Sequence, residues 1–166
     1  YHLNNTRKDS SSYGVLPEEF GDIQYSNDVF KFSDYSAYFD GETYLFDEGG
    51  KELSFHGNFT IDVFLNFAQI PGADRQELLR TNHFKKTGTS LSIYFQNNRL
   101  YFEMYLGLKQ FMFIESNELD ISTDNFFHVA ICRDRENVYL FFDRKICGQA
   151  SFPYYLPIDN ASEGLY

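Results

Sequence analysis

The stretch from Phe59 to Phe67 can be little other than a β-strand. Phe59, Ile61, Val63, Leu65 and Phe67 occupy one parity and Thr60, Asp62 and Asn66 the other, with Phe64 as an apolar exception. A period of two puts alternate side chains on opposite faces of a strand, whereas a helix would scatter them around its circumference. The same rhythm returns downstream. Leu91–Phe95 and Arg99–Leu106 flank Gln96-Asn97-Asn98, a hairpin signal, and Leu100, Phe102, Met104 and Leu106 alternate against Tyr101, Glu103 and Tyr105. Further runs lie at residues 110–115, 127–133, 137–143 and 145–151. Strand and turn alternating every 8 to 14 residues or so is the rhythm of a sandwich or barrel. Only Asp74–Leu79 is compatible with either a short helix or a strand.

These patterns predict an all-β fold, and 166 residues suffice for one domain with its own core. Residues 1–25 differ from the rest: Asn, Ser and Gly are frequent and apolar periodicity is weak, as in an extended arm or linker ahead of a sandwich over 26–166. No closing strand is apparent before Tyr166. Aromatic residues make up 19% of the chain, with no Trp, a load suited to half-buried pleated surfaces. The net charge of −10 repels phosphate backbones and anionic headgroups, so nucleic acid is not an expected partner. Apolar runs such as Phe111–Ile114 fall far short of the roughly 20 residues that a helix needs to cross a bilayer, so membrane insertion is not expected.

Four stretches, taken in order, resemble the laminin-G-like and concanavalin A-like lectin-glucanase superfamily. Ser36-Ala37-Tyr38-Phe39-Asp40-Gly41 looks like its opening strand, and Asn58-Phe59-Thr60-Ile61-Asp62-Val63-Phe64 like its "F-T-I-x-Φ-W" strand. Asn125–Asp134 resembles "x-x-W-H-H-V-A-V-x-R-D", and Val138–Lys145 resembles "v-x-L-Y-V-D-G-K". The resemblance spans residues 36–150 and implies an antiparallel two-sheet jelly-roll sandwich. Phe64 and Phe127 stand where the family usually carries Trp, and both are expected to fill the core. Arg144 replaces the glycine of a tight turn, so a different turn type is expected there.

Glu118-Leu119-Asp120-Ile121 resembles the "E-x-D-x-(x)-E" strand of the laminarinases and lichenases built on this sandwich. Its third carboxylate is missing, with Ser122 and Thr123 in the two available positions. A glycoside cannot be cleaved without the proton donor, so solvated loop acids and no catalysis are expected. His128 has no accompanying nucleophile and is expected to be a structural imidazole bonded across strands. His2, His56 and His83 show no metal-ligand spacing. The resemblance is compatible with bound calcium but requires no cofactor. Asp40, Asp47, Asp74, Asp120, Asp124, Asp143 and Asp159 form no recognisable ligand set. The sequons at Asn4, Asn58 and Asn160 are read as accidental.

A meander over residues 127–151 with a three-residue turn at Asp134-Arg135-Glu136 would place Cys132 opposite Val138 and Cys147 opposite Leu140. Both thiols would then share a face about 10 Å apart, too far for a disulfide. The same register puts Val129, Ile131, Tyr139, Phe141 and Ile146 together on the other side. With both faces apolar, that second side is the expected interaction face, covered by the arm or by a neighbouring subunit. The resemblance implies a non-catalytic module recognising glycans or a surface protein, with self-association, in a larger extracellular or virion protein. The alternatives are a structural sandwich in a phage tail, fibre or capsid decoration and, third, a glycoside hydrolase.

Overall fold

The computed structural model describes residues 3–8, 10–32, 34–47, 57–81, 89–106, 109–123 and 125–151. Regular structure among them is entirely strand: β1 (Glu18–Phe20), β2 (Gln24–Ser26), β3 (Ser36–Tyr38), β4 (Tyr44–Phe46), β5 (Phe59–Asn66) and β6 (Gln76–Arg80), then β7 (Thr89–Gln96), β8 (Arg99–Leu106), β9 (Lys109–Glu115), β10 (Phe126–Asp134), β11 (Asn137–Phe142) and β12 (Lys145–Ser151). One antiparallel sheet runs β12-β11-β10-β5 and the other β6-β7-β8-β9, while β1 pairs β4 and β2 pairs β3 in two small ribbons. The ambiguous Asp74–Leu79 segment enters strand β6, because Leu79 pairs with Ile93 of β7. Two of the short strands, β1 and β2, fall largely within the stretch expected to be an arm, where Ile23 is buried between them.

Alternation decides which side chains form the core. Leu91, Ile93 and Phe95 of β7, Leu100, Phe102 and Met104 of β8, and Met112 and Ile114 of β9 face Phe127, Val129, Ile131, Val138, Leu140 and Phe142 of the other sheet in one cluster. Phe59, Ile61, Val63 and Leu65 of β5 pack against it, as their shared parity requires. Each fully buried side chain of this size stabilises the fold by about 1.5–3 kcal/mol. Phe127 stacks on Phe142 at 4.9 Å and fills the core as expected. Phe64 does not: it has the opposite parity to its neighbours and is 38% exposed on the outer face of β5. The sheets come closest where Gly148 of β12 meets β9, and an added Cβ there would lie 3.2 Å from the Glu115 carbonyl oxygen.

The register of the meander corrects the expected interaction face. Asp134 pairs with Asn137, so the β10–β11 turn holds two residues, Arg135 and Glu136, and Cys132 stands opposite Tyr139. A slip of one residue transfers a strand's side chains to the other face. Val129 and Ile131 are accordingly core residues, 0% and 1% exposed, and leave the proposed face. Tyr139, Phe141 and Ile146 remain outside, joined by His128, Ala130 and Cys132. Cys147 packs against the core while Cys132 looks outward, so the free thiols lie on opposite faces and not on one.

Two hairpins close with left-handed pairs. Asn97 and Asn98 have φ of 50° and 57°, and Asp143 and Arg144 have 45° and 67°. Those are the signs of a type I′ turn, whose twist suits the flanking strands. Asp143 is held in this conformation by two bonds to His128: its Oδ1 accepts from the backbone N–H at 2.9 Å and its own N–H donates to the carbonyl at 2.8 Å. Arg144 has no such compensation among the hydrogen bonds of the described residues. The left-handed region costs a non-glycine residue about 1–2 kcal/mol, partly offset by the greater freedom of glycine in the unfolded chain. Arg144→Gly should therefore raise stability by about 0.5–1 kcal/mol in urea denaturation. A loss of stability would show that this turn is not left-handed at Arg144.

Burial pushes the Cys147 thiol up to about 11, because desolvation disfavours the thiolate. A thiol reagent at neutral pH should label Cys132 well before Cys147 in the native protein, and both when it is unfolded. Equal native rates would contradict the opposite-face placement.

Candidate functional site

The outer face of the β6–β9 sheet is built from residues whose partners in the sheet register bring like positions together. Ser92 stands opposite Glu103, Tyr94 opposite Tyr101, Glu77 opposite Tyr94, and Tyr101 opposite Glu115. Because Phe102 and Met104 point into the core, Tyr101, Glu103 and Tyr105 must point out. Glu103 nonetheless has only 8% of its side chain exposed. A carboxylate desolvated to that degree must be paired and hydrogen-bonded.

Its partners are all present. Tyr94 OH donates to Oε1 at 2.8 Å, Tyr105 OH donates to Oε2 at 3.1 Å, and Arg75 Nη1 donates to Oε2 at 3.1 Å. The Arg75 guanidinium lies 3.6 Å from the centroid of the Tyr94 ring, a cation–π contact, and bonds Ser92 Oγ and Glu77 Oε1 at 2.5 Å each. Ser92 Oγ in turn donates to Glu77 Oε2 at 2.7 Å. Tyr94 and Tyr101 stack at 4.8 Å with an interplanar angle of 6°. This end of the face is closed: every oxygen of Glu77 and Glu103 is occupied.

The other end is open. Tyr101 OH donates to Glu115 Oε1 at 3.2 Å, and Arg99 Nε lies 3.4 Å from the same oxygen, while Arg99 Nη1 donates to the Ser116 carbonyl at 2.9 Å. Among the bonds of the described residues, Glu115 Oε2 and Arg99 Nη2 take none. Beside this pair Phe113 exposes 47% of its surface, its ring 5.8 Å from that of Tyr101. The arrangement presents an aromatic ring, a hydrogen-bond acceptor and a hydrogen-bond donor side by side on a rigid strand floor.

The residues singled out from the sequence lie elsewhere. Glu118 and Asp120 are exposed on a loop whose alternate residues, Leu119 and Ile121, plug the core. His128 sits 3.2 Å from Asp62 Oδ2 on the neighbouring strand and stacks on Phe64 at 4.6 Å, the cross-strand role expected of it. Phe32 meets Phe64 edge-on at 4.9 Å, so residues just past the expected arm cover part of this outer face. Asn58 uses both ends of its amide, accepting from the Arg135 N–H at 2.8 Å and donating to Asp134 Oδ1 at 3.2 Å. Asn160, His2, His56, His83, Asp124 and Asp159 lie outside the described residues. Asp40 Oδ1 accepts from the Glu42 and Thr43 N–H groups and the Thr43 hydroxyl, which hold its carboxyl below the usual range. Among the described residues no three His, Cys, Asp or Glu side chains converge to hold a metal, and calcium stays without a ligand set. The Glu103 network was overlooked because its members come from three strands and the segment before β6. The one available signal was an acid on the solvent parity of an otherwise aromatic strand.

No family model matches the chain, and no curated protein matches it. Solved structures do. The binding domain of Paraclostridial Mosquitocidal Protein 1 matches 96% of this chain with a TM-score of 0.72 at 15% identity, and the match spans 41% of that chain. Domain 4 of AbnA, a GH43 extracellular arabinanase from Geobacillus stearothermophilus solved with arabinotriose, matches 98% of this chain and 77% of its own, with a TM-score of 0.67 and 13% identity. Domains LG4-5 of the mouse laminin alpha1 chain match 70% of this chain and 30% of theirs, with a TM-score of 0.51 at 8% identity. The fold is therefore the concanavalin A/laminin-G-like jelly roll, as the sequence resemblance implies.

Burial raises the phenolic pKa of Tyr94, Tyr101 and Tyr105 above 10.0, helped by the hydrogen bonds to Glu103 and Glu115 and by their charge. Well below pH 10 these groups are protonated whether folded or unfolded, and the network's contribution is intact. As pH rises further the unfolded chain releases their protons first, so stability falls. Tyr94→Phe should cost about 1–3 kcal/mol at pH 8 by leaving a buried Glu103 oxygen unpaired. It should also make the alkaline loss shallower. An unchanged alkaline slope in that variant would remove Tyr94 from the account.

Proposed function

We propose that this chain is a non-catalytic glycan-binding module of a larger extracellular protein, with its site at the open end of the β6–β9 face. The exposed Phe113 ring beside the Arg99–Glu115 pair carries the reading. Sugars offer a C–H face that packs on an aromatic ring and hydroxyls that need both donors and acceptors, and this surface supplies all three. An arabinanase domain solved with arabinotriose and a toxin's binding domain on the same fold support a recognition role in kind. Against catalysis stands the state of the carboxylates. Both oxygens of Glu103 are engaged, and the exposed Glu118 and Asp120 are followed by Ser122 and Thr123 where the hydrolase motif carries its third carboxylate.

A second reading, assembly with neighbouring subunits or with a surface protein, rests on the outer face of the other sheet. Ile146 is 53% exposed there, next to Tyr139 and Phe141. The structural roles in a virion expected from the sequence would use this face.

On a glycan array, Phe113→Ala should lose about tenfold or more of the signal, the effect of about 1.4 kcal/mol, while Phe113→Tyr should retain it. Undiminished binding by Phe113→Ala would sink the site. Incubation with arabinan or β-glucan should release no reducing sugar, and turnover abolished by Glu118→Gln would restore the enzyme. For the second reading, Phe141→Asp should lower the mass in solution. A wild type that is already monomeric would dismiss it.

A further inference from the structure

The chemistry of the open end narrows the ligand class, an inference that rests on the glycan-binding reading above. We infer that this site takes an uncharged saccharide residue with two adjacent free hydroxyls and excludes sialylated or sulfated sugars.

The arginines argue against anions. A sugar carboxylate or sulfate is usually captured by a guanidinium fork free to give two parallel N–H bonds. Arg75 is not free, because its nitrogens bond Glu77, Ser92 and Glu103 and its plane covers Tyr94. Arg99 is half committed, with Nε beside Glu115 and Nη1 on the Ser116 carbonyl. An anion drawn to Arg99 meets Glu115 beside it, whose side chain is 43% exposed and carries the like charge. Across the network Glu77, Glu103 and Glu115 outnumber Arg75 and Arg99, in a protein of net charge −10. The local field and the protein's overall field both oppose a second negative charge.

The same pair suits a diol. Glu115 Oε2 can accept from one hydroxyl while Arg99 Nη2 donates to the oxygen of the next, since the two groups form one ion pair whose Oε1 and Nε lie 3.4 Å apart. Tyr101 fixes the acceptor through its bond to Oε1, so the geometry is set before the ligand arrives. Phe113 precedes Glu115 by two positions on the same face of β9, about 7 Å along the strand, within the span of one sugar ring.

Titration calorimetry on the full chain with arabinotriose, permethylated arabinotriose, lactose and sialyllactose tests this. At least one of the two neutral, hydroxylated probes should bind. The permethylated trisaccharide should bind at least tenfold more weakly than arabinotriose, and sialyllactose at least tenfold more weakly than lactose. Glu115→Gln should weaken the neutral ligand about tenfold and narrow its margin over sialyllactose, because the like charge is gone and Arg99 is released. If sialyllactose binds as well as lactose and Phe113→Ala abolishes both, the site stands and the neutral class is overturned. Permethylated arabinotriose binding as well as its parent likewise overturns the diol contact while leaving the site. If neutral binding survives Phe113→Ala, the site itself is wrong and the class assignment falls with it. Binding by neither neutral probe overturns both.

Discussion

Register is the constraint on which the rest of this sandwich depends. Strands β5, β7, β8, β10 and β11 each turn one parity of apolar side chains toward the core, so a shift of one residue would carry those side chains to the outer face. Hairpin turns enforce the choice. The Asn97–Asn98 and Asp143–Arg144 pairs bring the next strand back with no residue to spare. At Asp143–Arg144 the chain accepts two left-handed non-glycine residues to do so. The cost of a few kcal/mol is small beside what the slipped register would expose. Val138, Leu140 and Phe142 alone would forfeit about 1.5–3 kcal/mol each.

The polar face of β6–β9 is a second product of that register. Ser92 and Glu103 meet only because Gln96 pairs with Arg99 across a two-residue turn. Once they meet, burial of Glu103 becomes tolerable, since two tyrosine hydroxyls and a guanidinium replace the water it loses. Removing one of these partners costs more than the bond is worth, because the carboxylate stays buried. The network thus behaves as a single unit that stiffens the floor beneath Tyr101, Phe113 and Glu115.

Much of the fold could be read from residues alone, for a physical reason: burial imposes parity, and parity is visible in one dimension. Strands β5, β8, β10, β11 and β12 lie where alternation and the family resemblance put them. What depended on turn geometry was harder to read. A three-residue turn at Asp134-Arg135-Glu136 and a two-residue turn at Arg135-Glu136 are equally compatible with the sequence, yet they place Val129 and Ile131 on opposite faces. Phe64 shows the complementary error. A resemblance placed it in the core, while its own parity, opposite to Ile61, Val63 and Leu65, already pointed outward. The site was the least legible part, because Arg75, Ser92, Tyr94, Glu103 and Glu115 become neighbours only through strand pairing.

The division between the closed and open ends of this face separates carboxylates bound up in the fold from one that a ligand can reach. A general acid needs a proton to give and room to approach the leaving oxygen. Glu103 lacks that room, since its oxygens are engaged by three partners and its side chain is buried. Glu115 has room: Tyr101 and Arg99 engage its Oε1, and its Oε2 takes no bond among those of the described residues. A carboxylate positioned as an acceptor beside a guanidinium donor can orient a polar ligand. The network that makes burial of Glu103 affordable to the fold therefore also holds Tyr101 in place, and through it the exposed pair.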